Sequence, residues 1–371
     1  MSQEQVITNN QSISRSPRAI VTLNGTQVQW ESLSITTNTF YVADKFSIVL
    51  GKTNQPSNID NNFWSSQNSI SVAIYLGFPK NPDVYSTADL DLFITGDADG
   101  IVDDFCDRRV TLSGRDFSAR MIDTKITQKF SNQTASQIAI MFAKEHGLNP
   151  VVTNTSTPVG TYYEQQQVLL AHETTEWDLL TFLAQNENFV VFVNNNDLIF
   201  EPRPTSSQNP YVFTYQPETD TYSSPIFNGL DLRFTRYLTL SKDVKVTIKV
   251  PYGSRNGKPF YRTKTASHTN STKTGNLQQY SYVIPGLTPQ QATQRADQIL
   301  RDITRNEIVM ETTCAPDNIL KKDSIIKVSG TGTAYDNIYY ADEIVRTFSY
   351  EEGYLMRVTA KNHAVDSEVT E

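Results

Sequence analysis

The sequence predicts a mainly β chain with an α+β middle: two barrel-like β regions flanking a helix-and-hairpin region. Three observations predict it. Short runs of alternating apolar and polar residues, broken by Gly and Asn turn signals, fill both ends of the chain. Between them, residues 111–202 read as helix, short strand, helix and hairpin. The composition sets 18 Tyr and 18 Phe among plentiful Thr, Ser, Asn and Gln, which suits antiparallel sheet with one wet face.

At 371 residues the chain has room for two or three domains, each with a sizeable core. Its net charge of −8 speaks against nucleic acid as a tight partner. No apolar run approaches the length of a membrane span. Met1 to Arg15 is polar and lacks the apolar segment of a secretory signal. Cys106 and Cys314 are the only cysteines; they read as packing residues of a reduced compartment, not as a disulfide framework.

Residues 1–16 are rich in Gln, Asn and Ser and read as disordered. Strands follow at Ala19–Leu23 and Thr26–Trp30, joined by the hairpin turn Asn24-Gly25. More strands are expected at Leu33–Thr37, Lys45–Leu50, Ser69–Leu76, Leu90–Gly96 and Arg109–Leu112. Residues 52–69 read as a loop held down by Phe63 and Trp64, and Asp97–Asp107 as a connection between strands. The set makes a small barrel or sandwich over residues 17–112.

Residues 113–205 carry the mixed region. Thr134 and Gln137 form a capping box; Ile138, Met141 and Phe142 fall at helical spacing, and Gly147 ends the helix. Val151 and Val152 suggest a short strand. A second helix starts at Thr174 or Thr175, with Asp178 in its first turn. Its apolar face is Trp177, Leu180 and Leu183, widened by Leu179 and Phe182. Phe189–Val193 and Leu198–Phe200, split by Asn194–Asp197, form a β-hairpin.

Residues 206–371 form the last region. Residues 203–224, rich in Pro, Ser, Thr and Tyr, read as a connecting segment. Leu230–Leu238 and Val244–Val250 alternate as strands, and Tyr280–Ile284 is another. Thr288 and Pro289 open a helix with Ala292, Ala296, Ile299, Leu300 and Ile303 on its buried face. Strands at 307–313, 324–328, 338–340, 343–349 and 355–360 complete a second barrel with one inserted helix, and Gly353 turns the last hairpin.

The chemistry-bearing residues give little sign of catalysis. His146, His172, His268 and His363 form no metal-type pair at short spacing, so no metal or cofactor is expected. The run Asp97, Asp99, Asp103, Asp104 has a Gly but lacks the twelfth-position Glu of a calcium loop, and reads as an acidic surface loop. His172-Glu173 lacks a second His, since Glu176 stands in its place. No nucleophile elbow and no phosphate-binding glycine loop occurs. Tyr and Phe interleaved with Lys and Arg over 233–264 suit either base or sugar stacking, or a strand with a solvated basic face. Residues 252–277 read as a long mobile loop or an extended hairpin arm. They hold Arg255, Lys258, Arg262, Lys264 and Lys273 and no Asp or Glu. These five are the candidate assembly contacts, a basic arm for an acidic neighbour.

Ser113-Gly-Arg-Asp116, and the Thr175–Ala184 helix leading into Phe189-Val-Val-Phe192, carry a resemblance. This stretch resembles the middle of the baseplate hub proteins of contractile phage tails, the late control D type. It is similar too to the hub part of type VI secretion spike proteins. The resemblance covers roughly residues 17–365. It implies two barrel-like tube domains around the mixed domain, and a homotrimer whose six similar units form a ring. The implied role is structural and not enzymatic. The ring would join the tail tube to a trimeric tail spike protein, beside other baseplate proteins, and its acidic lumen would pass genome DNA without specific binding. The protein would be a late virion protein, made in the host cytoplasm. A type VI-like spike hub is the near alternative; with this chain ending at Glu371, its spike would be a separate chain. A carbohydrate-binding or -degrading β protein is the alternative of another class, and the lack of a placed carboxylate pair speaks against it.

Overall fold

The computed structural model describes residues 16–126, 130, 133–156, 174–202, 210–221, 223–237, 244–255, 258–268, 278–284, 287–304 and 307–362. Residues 1–15 of the N-terminus expected to be disordered over 1–16, the link at 162–172, Leu238, His172, His363 and Lys273 lie outside these residues.

The first region holds β1 (Arg18–Leu23), β2 (Thr26–Val28), β3 (Ser32–Asn38), β4 (Lys45–Gly51), helix α1 (Asn61–Ser66), β5 (Ser71–Gly77), β6 (Asp91–Asp104) and β7 (Arg109–Asp116). Alternation buries one side of every strand: Val21 and Leu23, Phe46, Ile48 and Leu50, Val72, Ile74 and Leu76, and Val110 and Leu112 share one core. Asn24 and Gly25, both at positive φ (48° and 79°), make the tight turn from β1 to β2. Val28 of β2 pairs with Val21 of β1, and four residues later Ser32 opens the ladder of β3 with β4. One bent stretch of chain thus reaches both ends of this strand set. In the segment expected as loop, α1 is capped by Asp60, and Trp64 is buried.

The middle region holds α2 (Ser118–Asp123), α3 (Ala135–Glu145), β8 (Asn149–Val152), α4 (Glu176–Glu187), β9 (Phe189–Asn194) and β10 (Asp197–Pro202). Capping boxes start α3 (Thr134 with Gln137) and α4 (Thr175 with Asp178). Gly147 at φ 72° follows α3, and Asn188 at φ 57° ends α4. The three strands form a sheet in the order β8-β10-β9. Trp177, Leu179, Leu180 and Leu183 pack with Ile138, Phe142 and Phe200 in a second core.

The last region holds β11 (Tyr211–Gln216), β12 (Ile226–Phe227), β13 (Arg233–Arg236), β17 (Ile308–Cys314), β18 (Ile325–Ser329), β19 (Ile338–Ser349) and β20 (Gly353–Asn362). Between β13 and β17 come β14 (Val244–Arg255), β15 (Lys258–His268), β16 (Gln278–Val283) and α5 (Pro289–Thr304). β19 pairs with β20 along its length and with β3 from Glu343↔Asn38 to Ser349↔Ser32. That ladder fuses the two terminal regions. The two barrel-like regions expected from the sequence are not separate sheets: one open 14-stranded sheet runs through both.

Three further expectations are corrected, and one open alternative is decided. Val244–Val250 and Tyr280–Ile284 do not join the last region's main sheet; with β15 they form their own three-stranded sheet. The cause is the apolar row Val244, Val246, Ile248 and Val250, which packs on Ala292, Ala296 and Leu300 of α5. Of the two readings of 252–277, residues 252–255 and 258–268 take the hairpin arm, as the paired ends of β14 and β15. The segment 203–224 contains β11, whose Tyr211 and Phe213 are buried; flanking Pro and Ser hide that short alternation. Asp97–Asp104 belongs to β6 rather than to a loop: it pairs with β7 as far as Asp104↔Arg109, and Arg115, Arg120 and Lys52 offset three of its carboxylates, as described next.

Candidate functional site

A buried polar junction forms where all three regions meet. β3 and β4 deliver Asp44, which lies just before β4. β7 ends on Asp116. The two residues exchange contacts: Asp44 N–H donates to Asp116 Oδ2 at 2.9 Å, and Asp116 N–H donates to the Asp44 carbonyl at 3.0 Å. Asp116 also caps the turn into α2 by accepting from the Ser118 N–H at 2.9 Å and from the Ser118 hydroxyl. Asp44 Oδ1 accepts from the Asn38 N–H at 2.9 Å, and its Oδ2 accepts from Lys322 Nζ at 2.8 Å. Lys322 stands on the β17–β18 connection and lies 5.0 Å from the Phe192 ring centroid of β9. Both carboxylates are buried. Burial first, then the neighbouring Asp44 charge, pushes Asp116 up to about 6. Burial likewise raises Asp44, against the lowering pull of Lys322.

A second buried group adjoins it. Arg346 of β19 is 1% exposed; it donates to the Leu320 carbonyl at 2.6 Å and lies 4.8 Å from the Phe93 ring centroid of β6. Burial lowers its pKa. The turn it holds is braced by Asp317, whose Oδ1 accepts from the N–H groups of Ile319 and Leu320 at 3.0 and 3.1 Å. Asp317 Oδ2 accepts from the Tyr211 hydroxyl at 2.7 Å. Asn318 donates to the Leu76 carbonyl at 3.0 Å, and Asn195 to the Leu92 carbonyl at 3.3 Å. A cavity of about 440 Å³ opens here, lined by Thr37, Asp44, Phe93, Phe192, Lys322 and Arg346 among others. On the α4 side, Trp177 Nε1 donates to the Tyr41 carbonyl at 2.8 Å, and Tyr41 donates to the Phe189 carbonyl at 2.7 Å. Chemically the junction is a clamp: each polar group that crosses it satisfies a backbone or carboxylate group of another region.

The acidic run of β6 is accounted for by cations. Arg115 grips Asp99 through Nε and a terminal nitrogen at 2.7 and 2.9 Å and reaches Asp123 at 2.9 Å. Arg120 Nε is 2.7 Å from Asp97, and Asp103 pairs with Lys52. Asp104 caps the β6–β7 turn through the N–H groups of Cys106 and Asp107. His146 Nε2 lies 2.5 Å from Glu176 Oε2, tying α3 to α4. No group of three or more His, Cys, Asp or Glu among the described residues is placed to hold a metal. Both cysteines are free: Cys314 is buried, and Cys106 is exposed instead of packed.

Arg255, Lys258, Arg262 and Lys264 lie together on the β14–β15 hairpin, away from the junction, while Lys273 is outside the described residues. Arg262 and Lys264 are exposed, and Arg262 lies 5.2 Å from the Tyr252 ring centroid. The junction itself was missed in the sequence. Asp116 stood out only as part of a motif, and nothing local links Asp44, Asp317, Lys322 and Arg346.

Fold and junction together define a β-rich protein built to hold two strand systems and a mixed domain in fixed relation. The chain belongs to the YQBQ-like family, whose model matches residues 110–361. No curated protein matches it in sequence. Among solved structures, its fold is similar to the tail protein from Neisseria meningitidis MC58, at 14% identity and TM-score 0.66 over 94% of this chain and 96% of that one. The 43 kDa tail protein of prophage MuSo2 from Shewanella oneidensis gives 18% identity and TM-score 0.66 over 93% and 98%. The E. coli c3393 protein, a type VI secretion component, gives 12% identity and TM-score 0.53 over 93% and 77%. The resemblance drawn from Ser113–Asp116 and the helix-to-hairpin stretch is thus borne out in the fold.

Proposed function

We propose that this protein is the structural hub of a contractile tail baseplate, a homotrimeric ring that joins the tail tube to a central trimeric spike. The observation that carries this reading is the end-to-end correspondence with a tail protein, 94% of this chain on 96% of that one. Residues 17–112 and 206–371 are the two tube-forming units and 113–205 the domain between them. The ionic junction sets the angle between the units, as a ring of six similar units requires. The net charge of −8 suits a lumen that passes genome DNA without capture. The basic arm with Arg255, Lys258, Arg262, Lys264 and Lys273 serves assembly with an acidic neighbour. The protein acts in the virion tail as a scaffold and not as an enzyme. The fold shared with the type VI component supports a second reading, a secretion spike hub.

Light scattering with negative-stain imaging of the purified protein tests the proposal. A trimer mass and three-fold rings are expected. A concentration-independent monomer mass overturns the ring.

A further inference from the structure

The insert sheet of β14, β15 and β16 has two unlike faces. One is closed by α5, as described. The other carries Lys245, Thr247 and Lys249 of β14, in register with Ser267, Thr265 and Thr263 of β15 and with Gln279, Ser281 and Val283 of β16. Every one of these β15 and β16 residues is exposed. Beyond the face, the hairpin exposes aromatic rings: Tyr252 at 59%, Phe260 at 44% and Tyr261 at 40%.

The charge distribution decides what fits there. Residues 244–283 hold seven of the chain's 32 Lys and Arg and none of its 40 Asp and Glu. The remaining 331 residues carry 25 cations against 40 carboxylates. A face left to water alone ordinarily mixes both signs. Lys245 and Lys249 stand on the open sheet face, Arg262 and Lys264 are exposed on the other side of the hairpin, in register with Val250 and Ile248, and the acidic excess lies on the rest of the same molecule.

We propose that this face and its aromatic tip dock on an acidic surface of a second copy of the chain. This rests on the ring assembly proposed above and names the surface that makes it. Copies of a chain this acidic repel at long range. A cationic patch on each copy makes one approach attractive, head to tail, and a head-to-tail contact closes a ring when its rotation permits. The exposed aromatics supply the desolvated anchors that such contacts need.

The test is light scattering of the full chain at low and high salt, with wild type and Lys245→Glu/Lys249→Glu. The melting temperature is read alongside, and the matching Gln variant replaces the Glu variant should the latter unfold. A wild-type trimer that loosens with salt, with a variant that is monomeric at unchanged melting temperature, is expected. A variant as trimeric as wild type overturns the docking surface while leaving the ring intact. A wild-type monomer at every salt concentration overturns the ring and the docking together. A variant that keeps the trimer but loses binding to a single-stranded oligonucleotide assigns the face to nucleic acid and overturns the proposal.

Discussion

Lys322 Nζ lies 2.8 Å from Asp44 Oδ2, although 278 positions separate the two residues. With Phe192 beneath the ammonium, this one side chain touches the first and middle regions from the last. The side chains of Lys322 and Asp44 are only 9% and 12% exposed, so the pair is shielded from water. Removing one partner of a buried pair leaves an uncompensated charge and costs about 3–5 kcal/mol. Lys322→Met keeps the length of the side chain and removes its charge. Urea unfolding should show a loss in that range, and a loss under about 1 kcal/mol would mean the pair does not hold the junction.

Asp116 makes the junction sensitive to pH. Its pKa of about 6 in the folded chain lies above the value near 4 of an unfolded carboxyl. A group raised in this way contributes stability that is complete below about pH 4 and lost as pH rises through about 6. Asp44 shifts in the same direction. From pH 4 to pH 7 the Asp116 contribution should fall by on the order of 2 kcal/mol. Asp116→Asn does not titrate. It should be less stable throughout, because the amide cannot accept from both the Asp44 and Ser118 N–H groups, yet its pH profile should be flatter. Denaturant unfolding at unit pH steps measures both slopes, and parallel profiles would refute the assignment.

Local chemistry was legible in the sequence and distant chemistry was not. Thr134 with Gln137 and the Asn24-Gly25 turn announce themselves, because the groups that bond lie within three residues of each other. The Thr175 box was read only as an N-cap beside Asp178, and the structure completes it. The partition of the last region was hidden. β14 and β17 both alternate, and only the apolar stripe of α5 decides that β14 leaves the main sheet. The fusion through β3 and β19 could not be read either, since pairing of strands 300 residues apart leaves no periodic trace. Nothing in their own stretches of sequence marks Lys322, Arg346 and Asp317. Their burial comes from elements that arrive from elsewhere in the chain.

Trp177 tests the middle core. It heads the buried face of α4, is 4% exposed, and also hydrogen-bonds the Tyr41 carbonyl. Trp177→Ala should cost about 3–5 kcal/mol through the cavity it leaves. Trp177→Phe keeps most of the apolar volume but orphans the carbonyl, and should cost less, about 1–3 kcal/mol. Thermal unfolding of the two variants separates packing from the hydrogen bond. An unchanged melting temperature for Trp177→Ala would show the helix face to be wrong.

Gly114, in the Ser113–Asp116 stretch, has no room for a side chain. Gly114 sits on β7 between Phe46 of β4 and Ala98 of β6. A Cβ there would run into the Asp97 carbonyl oxygen and the Phe46 ring. Neither gives way cheaply. The carbonyl belongs to β6, which is irregular at Ala98 and Gly100, and Phe46 is part of the first core. Gly114→Ala should therefore force β6 away from β7 and cost about 1–3 kcal/mol by overpacking. It should also disturb Arg115 and Asp116, its next neighbours, and through them the pairing with Asp99 and the junction with Asp44. Gly100→Ala is the control: its Cβ would meet only Ser113 Oγ, at 3.5 Å, and its effect should stay within about 0.5 kcal/mol. Denaturant unfolding of both variants decides the matter. Equal losses would mean that strand glycine alone, and not the close approach of β6 and β4, sets the requirement at position 114.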